Sequence, residues 1–169
     1  CMRIHGLHHS AYRCRDSEET RSFYEDFLGL PLAEALEIRE TKTGGPAEVL
    51  HTFFRMEDGS FLAFFEAPRV PFTFKEQHDF DLHIALEASA EASEELVDRA
   101  RTEGREVRGP VDHGMAYSVY FRDPNGYVVE LVNKKPTHDD MLDATKNGAR
   151  EKLDRWQREK TLSLIHISE

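Results

Sequence analysis

The sequence predicts an α+β protein built from one strand–helix–strands module written twice, with a further helix at the C-terminal end. Three observations predict it. His9-Ser-Ala-Tyr12 is answered in the second half by His83-Ile-Ala-Leu86. Each of these runs is followed by a helix start and then a terminating glycine, Gly29 and Gly104. Met56-Glu-Asp-Gly59 followed by SFLAFFE is answered by Arg122-Asp-Pro-Asn-Gly126 followed by YVVELVN, which gives a hairpin at the end of each repeat.

Residues 4–14 read as a short strand. Asp16 with Glu19 three residues on is a capping box, so a helix begins there. It carries Phe23, Phe27 and Leu28 at helical spacing and stops at Gly29, a C′ residue. After a loop rich in Thr, Gly and Pro over 41–46, residues 48–56 and 60–65 read as strands joined by the turn Glu57-Asp58-Gly59. Residues 67–81, with Pro68, Pro71 and several charges, read as a connector.

The order then repeats. Residues 81–88 are a strand, and Ser89 or Ser93 caps a helix carrying Leu96, Val97 and Ala100. Residues 105–107 suit a short strand, and 115–121 with 127–132 form the second hairpin. Residues 137–160 read as an amphipathic helix with Leu142, Ala149, Leu153 and Trp156 roughly on one stripe. Such a stripe is expected to cover a sheet edge or a partner subunit, which leaves both a monomer and a homodimer open. The domain expected is 4–134, split into modules 4–68 and 80–134, with the helix over 135–161.

Composition narrows the function. The 169 residues are 39% hydrophobic and 32% charged, the mix of a soluble globular protein. A formal net charge of −10 excludes nucleic acid as a natural partner, because a phosphate backbone needs a basic face. No apolar run approaches the roughly 18–20 residues that cross a bilayer, so no membrane partner is expected. The start, CMRIHGLHH, lacks the basic and apolar regions of a signal peptide. Two cysteines, Cys1 and Cys14, make no disulfide framework, and a cytoplasmic location is expected. Cys1 precedes Met2, the expected native start, and the tail 162–169 with His166 reads as a non-native addition.

The runs HHSAYRCRDSEETRSFYEDFLGL and YFRDPNGYVVELV resemble the vicinal-oxygen-chelate superfamily of glyoxalases, bleomycin-resistance proteins, fosfomycin-modifying enzymes and extradiol dioxygenases. The resemblance covers about residues 4–134. It implies two βαβββ modules whose eight strands form a half-open barrel around a metal cleft, with ligands from the first and fourth strand of each module. Carried over by position, the ligands are His9, His83 and Glu130. His8 competes with His9, and one residue of register would turn the other to the opposite face. His9 aligns with His83 in the His-x-Ala repeat. Glu130 lies four residues after Gly126, whereas the same place after Gly59 holds Ala63.

That alanine removes the fourth ligand that glyoxalases usually carry. Glu66 sits an odd number of residues further along its strand and so points the other way. Two imidazoles and one carboxylate with open positions suit Fe(II), with Mn(II) or another divalent metal as the alternative.

Around Glu130, the spacing of His113, Tyr120 and Asp123-Pro-Asn-Gly126 is similar to the signature of extradiol ring-cleaving dioxygenases. The resemblance implies His113 as the acid/base group and Tyr120 as the hydroxyl beside the substrate oxygens. It also implies a catechol-like aromatic diol and O2 as substrates. His51, two residues before Phe53, would reach the same cleft by alternation, as a substrate contact or as a buried structural histidine. Phe53 reads as core first and pocket wall second. The rival functions are a metal-dependent lyase or thiol transferase of the same fold, and a resistance protein that sequesters a small molecule.

Overall fold

The computed structural model describes residues 3–167. Cys1, the expected start Met2, and Ser168 and Glu169 of the expected foreign tail lie outside the described residues, as does the side chain of His166.

The first module is β1 (His9–Arg13), α1 (Ser17–Arg21) with a π-helical continuation (Ser22–Phe27), β2 (Leu32–Glu40), β3 (Pro46–Arg55) and β4 (Phe61–Glu66). The second is β5 (His83–Glu87), α2 (Ala90–Thr102), β6 (Val107–Asp112), β7 (Ala116–Arg122) and β8 (Val128–Lys134). Two four-stranded sheets result, ordered β1-β4-β3-β2 and β5-β8-β7-β6. In each, the first strand runs parallel to the fourth and the remaining pairs are antiparallel. The repeat extends to register. His9 pairs with Phe61 and Ala11 with Ala63, just as His83 pairs with Val128 and Ala85 with Glu130.

Alternation gives each sheet one face for the core and one for other use. Leu62, Phe64 and Phe54 of the first sheet pack with Tyr24 and Phe27. Phe121, Val129 and Leu131 of the second join the same cluster with Val97 and Ala100 of α2. The modules therefore share one core, with Phe27 edge-on to Phe121 at a centroid distance of 5.5 Å.

Helix α1 starts as its sequence dictates: the Asp16 carboxylate accepts from the Glu19 amide at 2.8 Å. Glu66 accepts from the Ser17 amide at 2.5 Å, a structural use on the helix side of its strand. The wider π turn brings Phe23, Tyr24 and Phe27 inward together, and all three are buried. Ser89, rather than Ser93, caps α2 by accepting from the Ala92 amide.

Several expected bounds are corrected. β1 begins at His9 rather than residue 4, because its partner strand begins only at Phe61. β2 is not apparent in the residue pattern: it is exposed along almost its whole length and exists through its pairing with β3. β6 runs from Val107 to Asp112 rather than over 105–107, and its pairing is irregular between Arg108 and Val111. Gly109 sits there at φ 108°, where a Cβ would lie 2.7 Å from the Ser118 carbonyl oxygen.

The single helix expected over 137–160 is three segments, α3 (His138–Met141), α4 (Ala144–Asn147) and α5 (Ala149–Ile167). The left-handed Gly148 separates the last two. Leu153 and Trp156 are exposed, so their stripe covers no sheet edge of this chain. No helix among the described residues is long and apolar enough to cross a membrane.

Candidate metal centre

β5, β7 and β8 bring four predicted residues together on the face of the second sheet that looks away from the core. Glu130 is buried in the middle of β8, flanked by Ala85 of β5 and Tyr120 of β7. His83, at the start of β5, places its Nε2 3.4 Å from Glu130 Oε2. Its Nδ1 lies 2.6 Å from the carbonyl oxygen of Asp79. A carbonyl only accepts, so Nδ1 carries a hydrogen, and Nε2 is turned toward Glu130. A lone pair and a carboxylate at this separation repel unless a proton or a metal cation stands between them. This is the donor chemistry and the outer-shell hydrogen bond of a metal-binding histidine.

Tyr120 donates its hydroxyl hydrogen toward Glu130 Oε1 at 3.3 Å. His113, in the turn between β6 and β7, places Nε2 2.7 Å from the same hydroxyl. Burial first, and then the negative charge of Glu130, push the Tyr120 hydroxyl above its ordinary pKa, so it holds its proton at neutral pH.

Two neighbours were not singled out from the sequence. Arg108 of β6 lies 4.2 Å over the Tyr120 ring and pairs with the Asp79 carboxylate at 2.9 Å. Asp79 thus fixes His83 through its carbonyl and Arg108 through its side chain. The signal for Arg108 is the β6–β7 register, which sets it opposite Tyr120. Asp79 carried no signal, since it sits in the connector.

His9 belongs to another group. It lies on the matching face of the first sheet, its ring 5.7 Å from Phe53 and 6.4 Å from His51. Its Nδ1 touches Nδ1 of His8 at 2.7 Å. The strand position equivalent to His83 is that of His9, while His8 precedes β1. His51 is buried, with its Nδ1 donating to the Phe64 carbonyl at 3.0 Å and its ring stacked on Phe65. Ala63 occupies the register position of Glu130. Among the described residues, no three ligand-type side chains of one chain come close enough to hold an ion. His83 and Glu130 therefore fit a divalent metal, and His9 of the same chain does not reach them.

Comparison with known proteins gives the context. The family model described as Glyoxalase/Bleomycin resistance protein/Dioxygenase superfamily matches residues 6–131. A lactoylglutathione lyase of Arabidopsis thaliana is 28% identical over 138 residues, covering 76% of this chain. The match spans only 44% of that relative's length. A fosfomycin resistance protein, FosX, from Listeria monocytogenes, solved as a mutant with Mn(II) and 1S,2S-dihydroxypropylphosphonic acid, shares the fold at a TM-score of 0.60. It is 20% identical, with 83% of this chain and 100% of that one covered. TnmS3, an antibiotic binding protein from Streptomyces sp. CB03234, gives a TM-score of 0.57 at 17% identity, covering 80% of this chain and 100% of that one.

Proposed function

The chain belongs to the Glyoxalase/Bleomycin resistance protein/Dioxygenase superfamily, and from that premise we propose a metal-dependent enzyme in which His83 and Glu130 hold the metal and His9, which does not reach them within one chain, is the third ligand supplied by a second copy. Its substrate is a small molecule with two adjacent oxygens, and the reaction is extradiol-type opening of a catechol-like ring with O2. Fe(II) is the metal of this reading, with Mn(II) as the alternative.

One observation carries the reading: the hydrogen-bond chain from His113 through Tyr120 to Glu130. A divalent cation bound by Glu130 would make a chelated diol hydroxyl more acidic and hold it in place. The residues then have separable tasks. Tyr120 keeps its proton and donates to a developing oxyanion. His113, at the mouth of the site, takes a proton from the diol and returns it later. Arg108, stacked on Tyr120, holds that ring in position. Phe53 and His51 supply the wall of the substrate cleft.

A lyase or group-transfer reaction of the same metal site is the second reading, favoured by the similarity to a lactoylglutathione lyase. Ala63 speaks against the four-ligand form of that chemistry.

Anaerobic reconstitution with Fe(II), followed by oxygen uptake on a panel of catechols, tests the proposal. Uptake with a yellow ring-opened product, lost in Glu130→Ala and in His113→Ala, is the expected result. Metal uptake without oxygen consumption on any diol would favour the lyase or transferase. A protein that takes up no metal would be a sequestering protein.

A further inference from the structure

We propose that the chain has a second ligand site, behind the second sheet, that takes a small aromatic amine in its cationic form. The site uses other residues on the other face of that sheet, so it stands independently of the metal reading.

It lies where α2 crosses β6, β7 and β8. A cavity of about 450 Å3 opens there, lined by Ser93 and Val97 of α2, Pro110 of β6, Tyr117 and Val119 of β7, and Asn133 of β8. Sites for small molecules run to roughly 300–1,000 Å3, so the space is adequate. Tyr117 pairs with Asn133 and Val119 with Leu131, whereas Tyr120 pairs with Glu130. Strand alternation therefore puts the cavity and the candidate metal centre on opposite faces of one sheet. The room comes from side-chain size. Ala90 and Ser93 begin this stripe of α2, and their short side chains leave space that a larger apolar residue would fill.

Two features mark the cavity as a site rather than a packing fault. Ser93 is only 8% exposed, and its hydroxyl has no hydrogen-bond partner. A buried hydroxyl left in that state costs stability that a bound polar group can restore. Tyr117, by contrast, lines the cavity with a ring left 46% exposed, a large apolar surface the core does not use. Beside it, Asn133 gives its amide nitrogen to the Ala88 carbonyl at 3.3 Å, which leaves the amide oxygen as an acceptor.

Charge selects the ligand. Glu94, Asp98 and Arg101 also line the cavity, on successive turns of α2. The ion pairs of this helix use Arg99 and Glu103, and among the described residues Glu94, Asp98 and Arg101 enter none. Carboxylates four residues apart on a helix repel each other, and a cation between them removes that repulsion. Lys135 stands 4.4 Å over the Tyr117 ring but is engaged by Asp112 at 2.6 Å. Two unpaired carboxylates against one guanidinium, on a chain of net charge −10, favour a cation over an anion. The ring of the ligand lies against Tyr117, Val97 and Val119, and its ammonium reaches Glu94 and Asp98.

Tryptamine is the probe, titrated into the full chain by calorimetry, with tryptophol, indole-3-acetate and propylamine as comparisons. Tryptamine should bind, and tryptophol, the same ring without the charge, should bind about tenfold more weakly. The surface variant Glu94→Gln/Asp98→Asn should weaken tryptamine by about tenfold with thermal unfolding unchanged. Ser93→Leu fills the cavity and should abolish binding; if it fails to fold, the charge variant still decides. Glu130→Ala should bind tryptamine as the wild type does. Absence of tryptamine binding, tighter binding of indole-3-acetate, or equal binding of propylamine overturns the proposal. So does loss in Glu130→Ala with retention in Glu94→Gln/Asp98→Asn, which would put the amine in the metal cleft instead.

Discussion

Tyr24 donates its hydroxyl hydrogen to Asp123 Oδ2 at 2.7 Å, from the first module to the turn of the last hairpin in the second. Both side chains are buried. Asp123 Oδ1 also accepts from the amides of Asn125 and Tyr127, so one carboxylate organises the turn and ties it to its neighbour. Tyr24→Phe leaves this carboxylate short of one partner. The expected loss is about 1–3 kcal/mol of stability, read from the urea midpoint at unchanged slope. Mn(II) uptake should survive wherever the variant is folded.

The same carboxylate predicts a pH dependence. Burial pushes Asp123 above the ordinary carboxylate value of 3.8, against the opposing pull of its hydrogen bonds from Tyr24, Tyr127 and Asn125. The folded state therefore keeps this proton to a higher pH than the unfolded chain does. As pH rises from the ordinary carboxylate range through the raised folded value, the unfolded state gives up its proton first. The stability contributed by this group falls across that window and is constant on either side of it. Asp123→Asn should flatten that part of the stability profile, and Tyr24→Phe should extend it to higher pH. A midpoint series at about pH 4 to 7 reads both.

Tyr120→Phe removes the donor between His113 and Glu130 but neither proposed metal ligand. The expected result is roughly a 10²-fold loss of kcat on the active substrate, with Mn(II) or Fe(II) uptake retained. An equal loss of metal uptake would assign Tyr120 to holding Glu130 rather than to the chemistry.

Gly109→Ala should damage the second sheet. The added Cβ meets a backbone oxygen of β7 at 2.7 Å, and the residue must hold φ at 108°. A destabilisation on the order of 1–3 kcal/mol is expected from such a conformation alone. It should appear in thermal unfolding, with Gly6→Ala, whose Cβ meets nothing, as the unaffected control.

Much of this arrangement was readable beforehand where local chemistry and repetition agreed. The Asp16 cap, the Gly29 stop and both hairpins follow from residues within a few positions of each other. The grouping of His113, Tyr120, His83 and Glu130 was implied by the family resemblance, with the repeat placing His83 at the matching position of its module. β2 did not, because a strand exposed on both faces has no apolar alternation to show, and only β3 makes it a strand. β6 was cut short because Gly109 and Pro110 interrupt both its propensity and its pairing. Arg108 and Asp79 were invisible for a related reason: their positions depend on a register and a connector path that no local pattern encodes. The separation of His9 from His83 and Glu130 depends on how whole modules pack, which equivalence within the repeat leaves open.

β2 lies at the end of its sheet and is nine residues long. Its outer side has no neighbouring strand in the sheet, the feature through which sheets recruit foreign strands and grow into aggregates. Its sequence LAEALEIRE answers that hazard with charge. Glu34, Glu37 and Glu40 recur along the strand, and Arg39 is held against Glu37 at 2.5 Å. Two such margins approaching each other would bring rows of carboxylates together and be turned away. The glutamates that obscure β2 as a strand are thus what lets so long a margin stay in water without joining its like.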